Sequence, residues 1–158
     1  MKTAAPQVIS RSTTVAASAE RVWELVSDLP AMGAYSPENL GGSWSGGATG
    51  PAVGAAFRGR NASGRRSWST RSTVLRSDPG RAFAFSVKAA GLPVAEWSYD
   101  VEATAEGCRL TETWIDRRGA LMARLGRLAT GVQDREAFTA ESIEQTLAKV
   151  KVRAEQQE

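Results

Sequence analysis

The chain has 158 residues, of which 42% are hydrophobic and 23% are charged, and these values are typical of a soluble globular protein. The length predicts a single domain, residues 1–158 with a core over about residues 8–154, which is enough to bury a sizeable apolar interior. Twenty basic and 17 acidic side chains leave a net charge of only +3. Arginines gather in two places, and we interpret them as solvated faces of strands and loops, so we expect no nucleic-acid partner.

Two residue types restrict the chemistry. The sequence contains no histidine and only one cysteine, Cys108. A Ser-His-Asp triad, a Cys-His pair and any histidine-ligated metal site are therefore excluded, and we expect neither a metal ion nor an organic cofactor. A single cysteine forms no internal disulfide. Residues 1–8 lack the apolar run of a signal peptide, and no segment has the roughly 20 apolar residues of a membrane span. We therefore expect a cytoplasmic protein.

The first forty residues predict a strand followed by two short helices. Residues 8–16 are rich in β-branched side chains, which favour a strand. Ser18 is suited to cap a helix, and Pro30 ends it because proline disfavours helical geometry in the residue before it. Residues 30–37 predict a second short helix or turn. The apolar positions that define the first helix follow helical spacing: Val22, Leu25, Val26 and Leu29.

The middle of the chain predicts six more strands. The glycine-rich segment 39–54 predicts a curved strand and a loop, because glycines inside strands mark bends and bulges. Its glycine spacing fits no phosphate-binding loop. Five segments then alternate apolar and polar residues: 55–61, 65–76, 81–88, 94–103 and 108–116. Turns of three to five residues join them, with loops at 62–64 and 91–93, so neighbouring strands must be antiparallel.

The last part of the chain predicts a long amphipathic helix over residues 132–154. It would be about 35 Å long. Such a helix needs a surface to pack against, and the preceding sheet supplies one. Residues 118–131 form a connector that is partly helical in this interpretation. The apolar stripe of the long helix consists of Val132, Ala140, Ile143, Leu147 and Val150.

Several segments together resemble a known superfamily. They are AERVWELVSD, YSPE, VGAAFRGRN, DPGRAFAFSV, WSY, GCRLTETW and EQTLAKVK. They are similar to the SRPBCC superfamily of START and birch-pollen-allergen proteins, and within it to the bacterial polyketide cyclase/dehydrase-like branch. The resemblance covers about residues 8–152. It implies an α+β helix-grip fold, in which a seven-stranded curved antiparallel sheet wraps around a long C-terminal helix, with two short helices after strand 1 and an internal hydrophobic cavity. Family members are often monomers or dimers.

A curved sheet and one helix enclose a space unless large side chains fill it. The aromatic residues on the apolar strand faces either fill that interior as a dry core or line a pocket for a hydrophobic or aromatic small molecule. A connected void of at least about 300 Å³ distinguishes the two. The residues expected to line the pocket are Trp44, Phe57, Trp68, Thr70, Phe85, Trp97, Leu110, Trp114, Tyr35 and Met122.

Three polar residues are candidates for catalysis. Glu112 shares a strand face with Leu110 and Trp114, so it would be a carboxyl group in an apolar wall, with a pKa raised by desolvation. The alternative is an exposed glutamate paired with an arginine. Tyr99 is on the inner face as a core, contact or catalytic residue. Asn61 either hydrogen-bonds a ligand carbonyl or belongs to a hairpin turn.

Three functional hypotheses follow. The first is a polyketide cyclase- or dehydratase-like enzyme, a lyase or isomerase, in which Glu112, Tyr99 and Asn61 move protons and polarise a carbonyl. The second is a non-catalytic carrier or sensor of a lipid or another hydrophobic ligand. The third is a protein-interaction module, which would expose a large apolar patch instead of an internal void.

Overall fold

The computed structural model describes residues 5–156. Residues 1–4 of the segment considered as a signal peptide therefore lie outside the described part, as do residues 157–158. Residues 5–156 form seven strands and three α-helices, with a 3-10 helix at Leu29–Ala34. The helices are α1 Ala19–Ser27, α2 Ala120–Thr130 and α3 Arg135–Glu155. The strands are β1 Val8–Val15, β2 Asn39–Ser45, β3 Ala56–Ser63, β4 Arg66–Asp78, β5 Ala82–Ala89, β6 Leu92–Thr104 and β7 Gly107–Asp116.

The strands form one antiparallel sheet in the order β1-β7-β6-β5-β4-β3-β2. From β2 to β7, each strand pairs with the strand that follows it in the sequence, whereas β1 pairs with β7. The two short helices therefore carry the chain from one edge of the sheet to the other. This order, with the long α3 packed against the sheet, confirms the predicted helix-grip fold.

Local signals account for the helix boundaries. The Ser18 side chain accepts a hydrogen bond from the backbone N–H of Arg21 at 3.1 Å, so it caps α1 as expected. Asp134 caps α3 in the same way through the N–H of Ala137. The long helix consequently begins at Arg135 and not at Val132. Gly131 ends α2 with a left-handed φ of +74°, which separates the two helices.

Two predicted hairpin loops are shorter than expected. Ser63 pairs with Arg66, so only residues 64 and 65 form the turn between β3 and β4. Ala90 and Gly91 both have positive φ and form the turn between β5 and β6, which places residues 92 and 93 in β6. Two left-handed central residues match the twist of the flanking strands, which explains the tight β5–β6 turn. In the β3–β4 turn, Gly64 has a positive φ and Arg65 does not.

The apolar core lies between the sheet, α1 and α3, and includes fully buried Val22, Phe83, Leu110 and Ile143. At the β2 end the sheet register shifts between Asn39 and Gly42. Any side chain at Gly42 would collide with the backbone of β3, which explains the glycine in this bent strand. Among the described residues, no helix is long and apolar enough to cross a membrane.

Candidate ligand-binding cavity

A cavity of about 430 Å³ lies inside the fold, lined by strands β2 to β7, the 3-10 helix, α2 and α3. Its volume is within the range of small-molecule sites, and most of its wall is apolar or aromatic. The predicted internal cavity is therefore confirmed, and the interior is not a dry core.

Seven of the ten residues expected to line the pocket are in its wall, and three are not. Trp44 packs edge-on against Phe57, with ring centroids 5.3 Å apart, and does not reach the cavity. Leu110 is fully buried in the core, two residues beyond Glu112 on the same strand face. Tyr35 borders a shallow groove beside the end of α3 instead. The seven residues in the wall are Phe57, Trp68, Thr70, Phe85, Trp97, Trp114 and Met122.

Glu112 is the central polar group of the wall. It is on β7 directly opposite Tyr99 on β6, and only 2% of its surface is exposed. The Tyr99 hydroxyl donates a hydrogen bond of 2.9 Å to Glu112 Oε1. Among the described residues, Glu112 Oε2 has no hydrogen-bond partner. The glutamate therefore points into the interior and is not paired with an arginine on the outer face.

The electrostatics of this pair follow from its burial. Desolvation raises the pKa of Glu112 to about 8, although the hydrogen bond from Tyr99 acts in the opposite direction. Burial, followed by the charge and hydrogen bonding of Glu112, raises the pKa of Tyr99 well above its ordinary value. At neutral pH both groups are consequently protonated, and Glu112 is a carboxylic acid in an apolar wall.

Asn61 is also in the cavity wall, on the opposite part of the sheet. It pairs with Trp68 within the β3–β4 ladder, so it is a strand residue and not a turn residue. Its Nδ2 donates a hydrogen bond of 3.2 Å to Thr70 Oγ1. Strands β3 and β7 are four positions apart in the sheet, so Asn61 and Glu112 are on different parts of the cavity wall, and no hydrogen bond joins them.

Sequence reasoning missed the hydroxyl groups that α3 contributes. Thr139 and Ser142 are buried and line the cavity. Polar residues on a helix are normally interpreted as its solvated face. The available signal was spacing, because Thr139 and Ser142 share the face of the apolar position Ile143.

Two charged pairs border the cavity and were also missed. Arg135 Nη1 donates to both carboxylate oxygens of Glu38, at 2.9 and 3.1 Å, and its guanidinium lies 5.2 Å from the centre of the Phe138 ring. Arg118 makes two side-chain hydrogen bonds to Asp116. Burial raises the pKa of Glu38, although Arg135 opposes it. Burial also acts to raise the pKa of Asp116, but Arg118 holds it below its usual value.

A curved antiparallel sheet that grips a C-terminal helix around an apolar cavity defines an SRPBCC-type, helix-grip protein. Within this class, residues 6–155 match the family described as polyketide cyclase/dehydrase and lipid transport. The chain belongs to that family. The resemblance inferred from the sequence segments is thereby confirmed.

Solved structures show the same fold. A polyketide cyclase-like protein from Corynebacterium glutamicum is 31% identical, with 96% of this chain and 91% of that chain covered and a TM-score of 0.60. A protein from Chromobacterium violaceum is 13% identical, with 96% and 100% covered and a TM-score of 0.70. The di-domain ARO/CYC protein StfQ of the steffimycin biosynthetic pathway is 14% identical, with 96% and 51% covered and a TM-score of 0.72. No curated protein matches the chain at a significant level.

Proposed function

We propose that the protein binds an oxygenated hydrophobic or aromatic small molecule in its cavity and cyclises or dehydrates it, with Glu112 as the group that gives and takes the proton. The observation that supports this most directly is the Glu112 carboxyl group, which is buried in the cavity wall. One of its oxygens accepts a hydrogen bond from Tyr99, and the other has no hydrogen-bond partner among the described residues. Membership of the family and the likeness to an ARO/CYC protein support the same class of reaction.

The protonation state of Glu112 suits it to act first as an acid. With a pKa of about 8, the carboxyl group is mostly neutral at pH 7. Because the Tyr99 hydroxyl donates to Oε1, the proton of the acid belongs on Oε2. There it can be donated to a ligand carbonyl oxygen while the carbonyl carbon is attacked by a second carbon of the same ligand in its enol form, and the enol hydroxyl returns a proton to the Glu112 carboxylate. Glu112 then donates this proton to the new hydroxyl, which leaves as water, and takes the remaining proton from the carbon that attacked, so the acid is restored.

The rest of the wall would hold the ligand in the reacting conformation. The aromatic rings of Phe85, Trp97 and Trp114 supply flat apolar surface near Glu112. Asn61 and Thr139 supply further hydrogen-bonding groups in the wall, which suit a ligand that carries several oxygens. Holding two carbons of one flexible molecule close together contributes a large part of the rate of such a reaction.

Replacement of Glu112 by glutamine tests the proposal. A thermal-shift screen against aromatic ketones and fatty acids first identifies a ligand, because a bound ligand stabilises the folded state. Turnover of an aromatic ketone found in this way should fall about 10²- to 10⁴-fold in Glu112→Gln. Its affinity should change little, because the amide has the same shape. Glu102→Gln, which changes an exposed glutamate of β6, is the matched control. Unchanged turnover in Glu112→Gln would contradict the proposal.

A non-catalytic carrier is the second candidate. The mostly apolar wall and the family description, which includes lipid transport, favour it. In that case fatty acids would stabilise the protein, no aromatic ketone would be converted, and Glu112→Gln would bind the same ligands as the wild type.

A further inference from the structure

Helix α2 exposes a row of leucines. Leu121, Leu125 and Leu128 are 66%, 47% and 73% exposed. Their spacing of four and three residues places them on one face of the helix. A surface helix ordinarily turns such a face toward the core, so this row requires an explanation.

The leucine row is continuous with the cavity. Met122 and Leu125 of α2 line the cavity, and Leu125 is also part of the exposed row. Leu92, beside the β5–β6 turn, likewise lines the cavity while 43% exposed. The cavity therefore reaches the surface between α2 and this turn, and the mouth has an apolar border.

The surroundings of the row are cationic. Residues 117–131 contain four arginines and no acidic residue. Arg117 and Arg118 are paired with acidic residues outside this segment. Arg124 and Arg127 form no ion pair with any described residue. The Arg66 guanidinium lies against the C-terminal end of the helix, at Gly131. The acidic residues that follow, Asp134 and Glu136, already belong to the start of α3. A partner of this surface should therefore be apolar and anionic together.

We propose that α2 docks the protein on an anionic phospholipid membrane, with Leu121 and Leu128 among the acyl chains and Arg124 and Arg127 against the headgroups. The boundary between headgroups and acyl chains accepts a convex row of side chains beside basic residues. A specific protein partner is disfavoured, because three leucines fall far short of the roughly 800 Å² that each side of a stable interface buries. Docked in this way, the cavity mouth faces the lipid, so a hydrophobic ligand exchanges without crossing water.

Vesicle co-sedimentation tests the docking. Wild-type protein should bind vesicles of phosphatidylcholine with about 30% phosphatidylglycerol, bind pure phosphatidylcholine much more weakly, and detach as salt is raised. The double variants Leu121→Gln/Leu128→Gln and Arg124→Gln/Arg127→Gln should each lower vesicle binding by at least about tenfold. These four side chains do not line the cavity, and circular dichroism checks that the fold is kept.

Matched controls separate this surface from others. Leu40→Gln/Leu75→Gln removes two half-exposed leucines of strands, and Arg109→Gln/Arg153→Gln removes two exposed charges elsewhere; both should bind vesicles as the wild type does. The docking does not depend on the proposed chemistry, so Glu112→Gln should also bind normally. Two results would overturn the docking: wild-type protein that binds neither vesicle, or α2 variants that bind as strongly as it does. Sedimentation of a dimer that the α2 variants dissociate, without vesicle binding, would assign the leucines to a second copy of the chain.

Discussion

Two glutamates in the wall of the same cavity have opposite kinds of partner. Glu112 is bonded to the neutral hydroxyl of Tyr99, whereas Glu38 is bonded through both of its oxygens to the cationic Arg135. Burial raises the pKa of both groups, that of Glu112 to about 8. Each partner opposes the rise, Tyr99 through a neutral hydrogen bond and Arg135 through its positive charge as well. One part of the wall holds a transferable proton, and the other holds a fixed ion pair.

The largest expected effect is the loss of stability with rising pH that buried Glu112 causes. The pKa of Glu112 is about 8 when folded, against an ordinary value of 4.5. Its stabilising contribution is therefore complete below about pH 4.5 and is lost as the pH rises through about 8. The free energy of unfolding of the wild type should fall by of order 5 kcal/mol across this range relative to Glu112→Gln. Urea denaturation at a series of pH values measures this difference. Parallel curves for the two proteins would show that Glu112 is not a buried acid.

A smaller loss of stability is expected when the Glu38–Arg135 ion pair loses its arginine. Arg135→Met leaves Glu38 largely buried without its partner, since the two side chains are only 19% and 20% exposed. The free energy of unfolding at pH 7 should fall by about 2 kcal/mol, and the pKa of Glu38 should rise further. The loss should shrink in acid, where Glu38 is protonated, and in the double variant Glu38→Gln/Arg135→Met. An equal loss in the single and double variants would mean that Arg135 acts through packing alone.

The smallest expected effect is the change in the pKa of Glu112 when its neutral partner, Tyr99, loses the hydroxyl group. The Tyr99 hydrogen bond lowers the pKa of Glu112 against the effect of burial. Tyr99→Phe should therefore raise that pKa by up to about one unit, or about 1.4 kcal/mol. Titration of the Glu112 carboxyl carbon by NMR measures the change. Tyr35→Phe, which changes a buried tyrosine outside the cavity wall, should leave the titration where it is.

Much of this arrangement could be predicted from local sequence patterns. The remainder depends on position along a strand and on contacts between residues far apart in the chain. Strand alternation predicted the sheet and the inward direction of Glu112, because side chains alternate between faces. The same rule failed for Leu110. Alternation predicts which face of the sheet a side chain is on, but it does not predict which part of the strand borders the cavity. The Glu38–Arg135 pair joins residues 97 apart in the chain, and no local pattern reveals it. Thr139 shares a helix face with Ile143, so spacing could have placed it inward, although its residue type alone favours the solvated face.

The weak start of α2 and the glycine in its middle have a consequence for the wall of the cavity. Ser18 and Asp134 anchor the starts of α1 and α3 with side-chain hydrogen bonds, whereas α2 starts at Gly119, which has none to offer. A second glycine, Gly126, weakens its middle by about 1 kcal/mol relative to alanine. We therefore expect α2 to unwind locally at a lower free energy than α1 or α3 does. Hydrogen exchange at its backbone amides should then be faster than in the paired strands, which would make this helix the most easily deformed part of the cavity wall.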